Sequence, residues 1–320
     1  MNKKNNFLFV LFLLILLSAN SCKSASRLTH SEKTLQNIIA LDTLLNKQNI
    51  ESKAIIVNEE VSSSVAISQL SPWRINRKDY EGPKSSRISD GPYTYWETHV
   101  RTTIKVLVDD ISDKSFAEIT YWEPNGSYST LIKDIKCWVS EIGEEGIVTK
   151  NALTKDQIQN IQLNDSTHKV TFNIDGNLNG KIIDYEYTVL SPYYSLIPTK
   201  FYPDVALIPI HTFQRDIPVI SAQYEIELPS FEHDAAVLKN EVKQIGNGKF
   251  EIKKGKGNGV VTFSQKSLGV QNTPTTVRAD YSYETYTITA EDIPAYTHSK
   301  NTSGEPLGVQ IIRTGQQFVP

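Results

Sequence analysis

The sequence predicts an all-β protein built as two antiparallel β-sandwich-like subdomains with one or two short helices. Two observations predict it. From Ala54 onward apolar residues recur at every second position, the period of a half-buried strand. Turn dipeptides separate these runs, at Asn125-Gly126, Asp175-Gly176, Asn179-Gly180, Asn247-Gly248 and Asn258-Gly259. Many short strands with polar turns point to a sandwich or barrel rather than to βαβ units.

Residues 1–21 read as a signal peptide. Lys3 and Lys4 form a positive start, and Phe7 to Leu17 is an unbroken apolar run of eleven residues. That is short of the roughly 20 residues a membrane-spanning helix needs and fits a secretory signal. The run ends in Ser18-Ala19-Asn20-Ser21-Cys22, which resembles a bacterial lipobox. Cleavage between Ser21 and Cys22 would make Cys22 the lipidated N-terminus. Each buried acyl CH₂ contributes about 0.8 kcal/mol, so several chains hold a protein on a membrane. The expected location is the bacterial cell envelope, periplasmic or outer-membrane-associated, with the membrane itself as a partner.

Residues 22–53 form a tether and a short amphipathic helix at about 32–47, where Leu35, Ile38, Ile39, Leu41 and Leu45 recur near helical spacing. Residues 54–229 are the first expected subdomain. Val100, Ile104, Val106 and Val108 share one strand face, with Arg101, Thr103 and Lys105 on the other. The same alternation holds for Val170, Phe172 and Ile174, for Ile183, Tyr185, Tyr187 and Val189, and for Ala222, Tyr224, Ile226 and Leu228. Residues 70–93 read as a long surface loop. Thr154-Lys155-Asp156-Gln157 has capping-box spacing and, with Ile158 and Ile161 behind it, predicts the second short helix. Prolines 192, 198, 203, 209 and 218 exclude a central strand across that stretch. Residues 230–320 are the second expected subdomain, with strands around 250–253, 260–263, 283–289 and 309–312.

Composition excludes some functions. A net charge of -3 argues against a nucleic-acid partner. The six histidines, His30, His99, His168, His211, His233 and His298, show no ligand spacing, so no metal or other cofactor is expected. With Cys22 acylated, Cys137 stands alone. In Ile135-Lys136-Cys137-Trp138-Val139 it reads as a buried strand residue, and the sharper alternative is a nucleophile paired with His99 or His168. Asp184 and Glu186 lie two apart on one strand face, either as a glycosidase-like pair or as a solvated surface. Asp109, Asp110 and Asp113 read as a turn rather than a calcium loop. Gly255-Lys256-Gly257-Asn258-Gly259 reads as a hairpin turn rather than a phosphate loop. Tyr193, Tyr194, Phe201 and Tyr202 form an aromatic, Pro-rich candidate binding surface.

Several segments resemble the domain-of-unknown-function family 3857, the β-rich region that precedes transglutaminase-like domains in bacterial envelope proteins. Gly180-Lys181-Ile182-Ile183-Asp184-Tyr185-Glu186-Tyr187 is similar to that family's hallmark strand. Ser191-Pro192-Tyr193 and Phe213-Gln214-Arg215-Asp216-Ile217-Pro218-Val219 follow in the family's order. Weaker likenesses lie at 100–107, 116–119, 151–158 and 286–295, with residues 195–211 as an insertion. Thr285 and Ile288 stand in a strand where the family usually carries a tryptophan. The resemblance implies a sandwich-type fold and no catalytic residues. The family's Cys-His-Asp domain does not follow within the 320 residues. The functional expectation is therefore a non-catalytic, lipid-anchored envelope module that binds a protein or glycan partner. The alternatives are a hydrolase or transglutaminase-linked enzyme using Cys137, and a structural spacer.

Overall fold

The computed structural model describes residues 41, 52–68, 93–108, 118–122, 130–143, 146–165, 167–192, 208, 211–231, 236–265, 275–296 and 305–317. The signal and lipobox through Cys22, residues 70–92 of the expected loop, Asp109 to Asp113, and Tyr193, Tyr194, Phe201 and Tyr202 lie outside the described residues, while Tyr93, the last residue of that loop, opens a strand. Of the expected helix at 32–47, Leu41 is described, and it is buried.

The protein is all-β. One eight-stranded sheet dominates it, in the order β12 (Glu251–Gln265), β13 (Thr275–Ile293), β10 (Val219–Phe231), β1 (Ala54–Ser68), β2 (Tyr93–Val106), β8 (Ile182–Pro192), β4 (Leu131–Gly143), β5 (Gly146–Ala152). Two three-stranded sheets accompany it. One has the order β11 (Ala236–Ile245), β14 (Gly308–Gln317), β9 (His211–Thr212), and the other β3 (Glu118–Trp122), β7 (Thr167–Phe172), β6 (Ile158–Gln162).

Period-two patterning explains the layering. Ile56, Ile104, Ile183, Tyr224, Ile226, Tyr286 and Ile288 turn one face of the large sheet inward. Ile119, Val170 and Phe172 from one small sheet, and Val309 and Ile311 from the other, join them in a single core cluster. Each such side chain contributes about 1.5–3 kcal/mol when fully buried. Val108 falls just past the end of β2 and is exposed, so its predicted place on the inward face is not realised.

Three local expectations are corrected. The main sheet has no break at residue 230: β10 runs through that position and pairs along its length with β13. Strands from both expected subdomains thus share one sheet, and β1 joins β10 as a parallel pair inside an otherwise antiparallel order. The capping box at Thr154 forms, with the Thr154 amide donating to Gln157 Oε1 at 3.0 Å, but it closes only a 3₁₀ turn over Lys155–Gln157. Ile158 onward then pairs with β7, because strand pairing outweighs a short local helix signal. The glycine run at 255–259 is not a turn but continuous strand in β12. Gly257 pairs with Tyr283 and Gly259 with Tyr281, and a Cβ at either glycine would run into the facing ring. The glycines leave room for tyrosine rings to lie across the strand, a recognised way to stabilise glycine in a sheet.

Candidate functional site

Adjacent glutamates in β1 create two polar rows on opposite faces of the sheet. Strand geometry sends Glu59 and Glu60 to opposite sides. On the outer face, register aligns Gln223, Glu60, Arg101, Glu186 and Lys136 across five strands. On the core face it aligns Ala222, Glu59, Thr102, Tyr185 and Cys137. The inner row is the unusual one, because it places a carboxylate at 3 % exposure where the pattern calls for apolar residues.

Arg215 answers that carboxylate. It sits between β9 and β10, and its Nη2 donates to Glu59 Oε1 at 2.8 Å. Its Nη1 donates to the Thr212 carbonyl and to the Gln214 carbonyl, which fixes the guanidinium against its own loop. His211 Nε2 lies 3.6 Å from the same Glu59 oxygen, and the ring stacks on Tyr224 with its edge against Phe213. Burial raises the Glu59 carboxyl above its ordinary range, with Arg215 pulling the other way. Burial, reinforced by Arg215, holds His211 well below the ordinary imidazole value, so this ring is neutral. Tyr185 is pushed up to about 12, mainly by burial and then by the Glu59 charge.

A cavity of about 770 Å³ opens beside this pair. Its lining includes Glu59, Arg215, Thr102, Thr120, Tyr185 and Tyr187. Tyr185 and Tyr187 stack at 6.3 Å on its wall. Glu118, also on the lining, is held by Lys169 at 3.0 Å. Thr102 is 1 % exposed, and its hydroxyl lies beside that of Tyr185 without a hydrogen bond of good geometry. His211 Nε2 is likewise buried without one. A buried polar group left unbonded costs about 1–3 kcal/mol, and such groups concentrate where a structure serves something besides its own stability. The volume falls in the range of small-ligand sites.

The residues singled out in the sequence fare differently. Cys137 is 1 % exposed in the core row, and burial, with the Asp184 charge, pushes its thiol up to about 12. A thiol so placed is not a nucleophile at neutral pH. His99 instead contacts Thr188 Oγ1 at 3.1 Å, and His168 stacks on Tyr121. Asp184 is buried, accepts from the Thr103 hydroxyl and lies 3.7 Å from Lys150, whose ammonium sits over the Trp138 ring. Glu186 pairs with Lys136 at 2.8 Å. Each carboxylate thus has its own lysine. Among the described residues, no group of three His, Cys, Asp or Glu side chains could hold a metal ion.

Sequence reading missed Glu59, Thr102, His211 and Arg215 as a site. One signal was present: two adjacent glutamates within a strand require one of them to face inward. Nothing in the order of residues said that Arg215, 156 positions away, would meet it.

No family description matches the chain, and no curated protein does. Solved structures do. One is described as a "putative protease" from Parabacteroides distasonis, with a TM-score of 0.46, 12% identity, and coverage of 82% of this chain and 40% of that one. Another is Legionella pneumophila aminopeptidase A in complex with aspartic acid, with a TM-score of 0.27, 13% identity, and coverage of 82% and 24%. The chain thus spans less than half the length of either structure. Likeness at this level carries no argument about activity.

Proposed function

We propose that the chain is a non-catalytic, lipid-anchored module of the bacterial cell envelope that binds a protein or glycan partner. The observation that carries the binding half is the 770 Å³ cavity, where Glu59 and Glu118 each have a cation in place and the buried Thr102 hydroxyl lacks a close hydrogen bond. A preformed polar cavity with aromatic walls suits recognition. The anchoring half rests on the residues 1–22, and the resemblance to the family 3857 region belongs to the same proposal. Burial of Cys137 speaks against the hydrolase alternative. A thiol reagent should modify Cys137 only once the protein is unfolded.

Two measurements test the reading. Cys22→Ser should abolish acyl labelling and release the protein from membranes; retained labelling removes the anchor. The purified chain should co-sediment with washed cell-envelope material; failure to do so removes the binding role.

A further inference from the structure

We infer that the cavity beside Glu59 takes a neutral, hydroxyl-rich ligand, a sugar unit, with Thr102 as one of its hydrogen-bonding contacts. This rests on the binding-module reading and narrows it to a ligand class.

Charge matching gives neutrality. Glu59 is fully buried and Arg215 is its cation at 2.8 Å. An anionic ligand that drew Arg215 toward itself would strand a buried carboxylate. A cationic ligand competing for Glu59 would face the Arg215 charge at the same oxygen. Either rearrangement leaves a buried charge uncompensated, which is costly. Glu118 and Lys169 form a half-buried pair on the neighbouring wall, and Lys53 and Asp216 add one charge of each sign to the lining, so the surround is balanced. A neutral ligand disturbs neither pair.

Hydrogen-bonding capacity gives the hydroxyls. The contacts of Glu59 with described residues run through Oε1, which leaves Oε2 as an acceptor. Thr102 faces Glu59 in register and brings a buried hydroxyl whose bonding capacity the neighbouring Tyr185 hydroxyl does not fill. Thr120 adds a further hydroxyl to the lining. A hydroxyl of the ligand can donate to Glu59 Oε2 and exchange a bond with Thr102, groups that an apolar ligand would leave unbonded. The stacked Tyr185 and Tyr187 supply the flat, partly apolar wall against which the C–H face of a sugar ring packs.

The test uses the full chain in a sugar-free detergent, observed by saturation-transfer NMR and titration calorimetry. The probes are maltose and diacetylchitobiose as neutral disaccharides, galacturonate as an anion and glucosamine as a cation. Neutral probes should bind saturably and more tightly than the charged ones. Thr102→Val, which keeps the shape and removes the hydroxyl, should weaken that binding about tenfold without lowering the melting temperature. Tighter binding of a charged probe, or unchanged affinity in Thr102→Val, overturns the proposal. If no probe binds but envelope material still retains the chain, the sugar assignment fails and the binding reading stands. If envelope retention is also lost, both fall.

Discussion

Among the described residues, two Glu-and-Arg networks join the large sheet to the strands covering it, and they are finished differently. In one, Arg313 of β14 is buried, with Nε donating to Asn240 Oδ1 and Nη1 to the Pro229 carbonyl, each at 2.8 Å. Asn240 Nδ2 and the Tyr286 hydroxyl then both donate to Glu284 Oε2 at 2.7 Å. The cavity there is about 310 Å³. In the other, Arg215 meets Glu59, yet His211 Nε2 and the Thr102 hydroxyl lack close hydrogen bonds beside a cavity of about 770 Å³. The first network is closed on itself and acts as a structural clamp. The second holds its charges in balance and leaves polar groups over. The same residue types serve stability in one place and leave room for a ligand in the other.

Removing each arginine is the strongest way to break this comparison. Arg313→Ala leaves the buried Pro229 carbonyl and the half-buried Asn240 Oδ1 without their donor. At about 1–3 kcal/mol for each, the expected loss is about 3 kcal/mol or more. Arg215→Ala should cost less, about 1–3 kcal/mol, because Arg215 is 35 % exposed and the Glu59 carboxyl can take up a proton when its cation is gone. Urea unfolding of the two variants at neutral pH gives the order directly. A larger loss in Arg215→Ala would mean that the Glu59 network is the structural one.

The pH dependence separates the two glutamates by sign. The Glu59 carboxyl is raised above 4.5 by burial, against the pull of Arg215, with neutral His211 and protonated Tyr185 around it. The folded state therefore binds this proton more tightly than the unfolded one, and the Glu59 contribution falls as pH rises from 4.5 through the folded value. For Glu284, burial pushes upward, but the bonds from Asn240 and Tyr286 and the charges of Lys256 and Arg313 outweigh it, so its pKa lies below 4.5. Its contribution is present above 4.5 and is lost as pH falls through the folded value. His211, depressed below 6.5, also loses stabilisation as pH falls below 6.5. Stability profiles should show it: relative to Glu59→Gln the native chain weakens above pH 4.5, and relative to Glu284→Gln it weakens below. Difference curves of the same sign would remove the distinction between the networks.

Much of the fold was legible because strand alternation is local. The inward positions of β8 and β10, and the turn at Asn179-Gly180, where Gly180 takes a φ of 76°, follow from neighbouring residues alone. What escaped was non-local. The glycines of β12 look like a turn until Tyr281 and Tyr283 are placed opposite them. The Thr154 box is a true cap, but whether a helix follows depends on β7 pairing with Ile158 onward. The candidate site escaped for the same reason: Glu59, Thr102 and Arg215 are ordinary strand and loop residues until β1 lies between β2 and β10. Cys137 was the opposite case, since its buried position followed from the apolar strand around it.

The smallest expected effect is the sharpest test of the open network. Threonine and valine have the same shape, and the Thr102 hydroxyl is buried beside that of Tyr185 without a hydrogen bond of good geometry. Thr102→Val removes that unsatisfied group and should raise stability by about 1 kcal/mol, read as a higher melting temperature. A hydroxyl that belonged to a closed structural network would give a loss instead. The gain should appear only in the ligand-free protein. When a neutral sugar is added, the native chain gains stability by mass action and the variant gains less. The two melting curves should therefore converge as sugar concentration rises. Parallel curves would assign the Thr102 hydroxyl to packing alone.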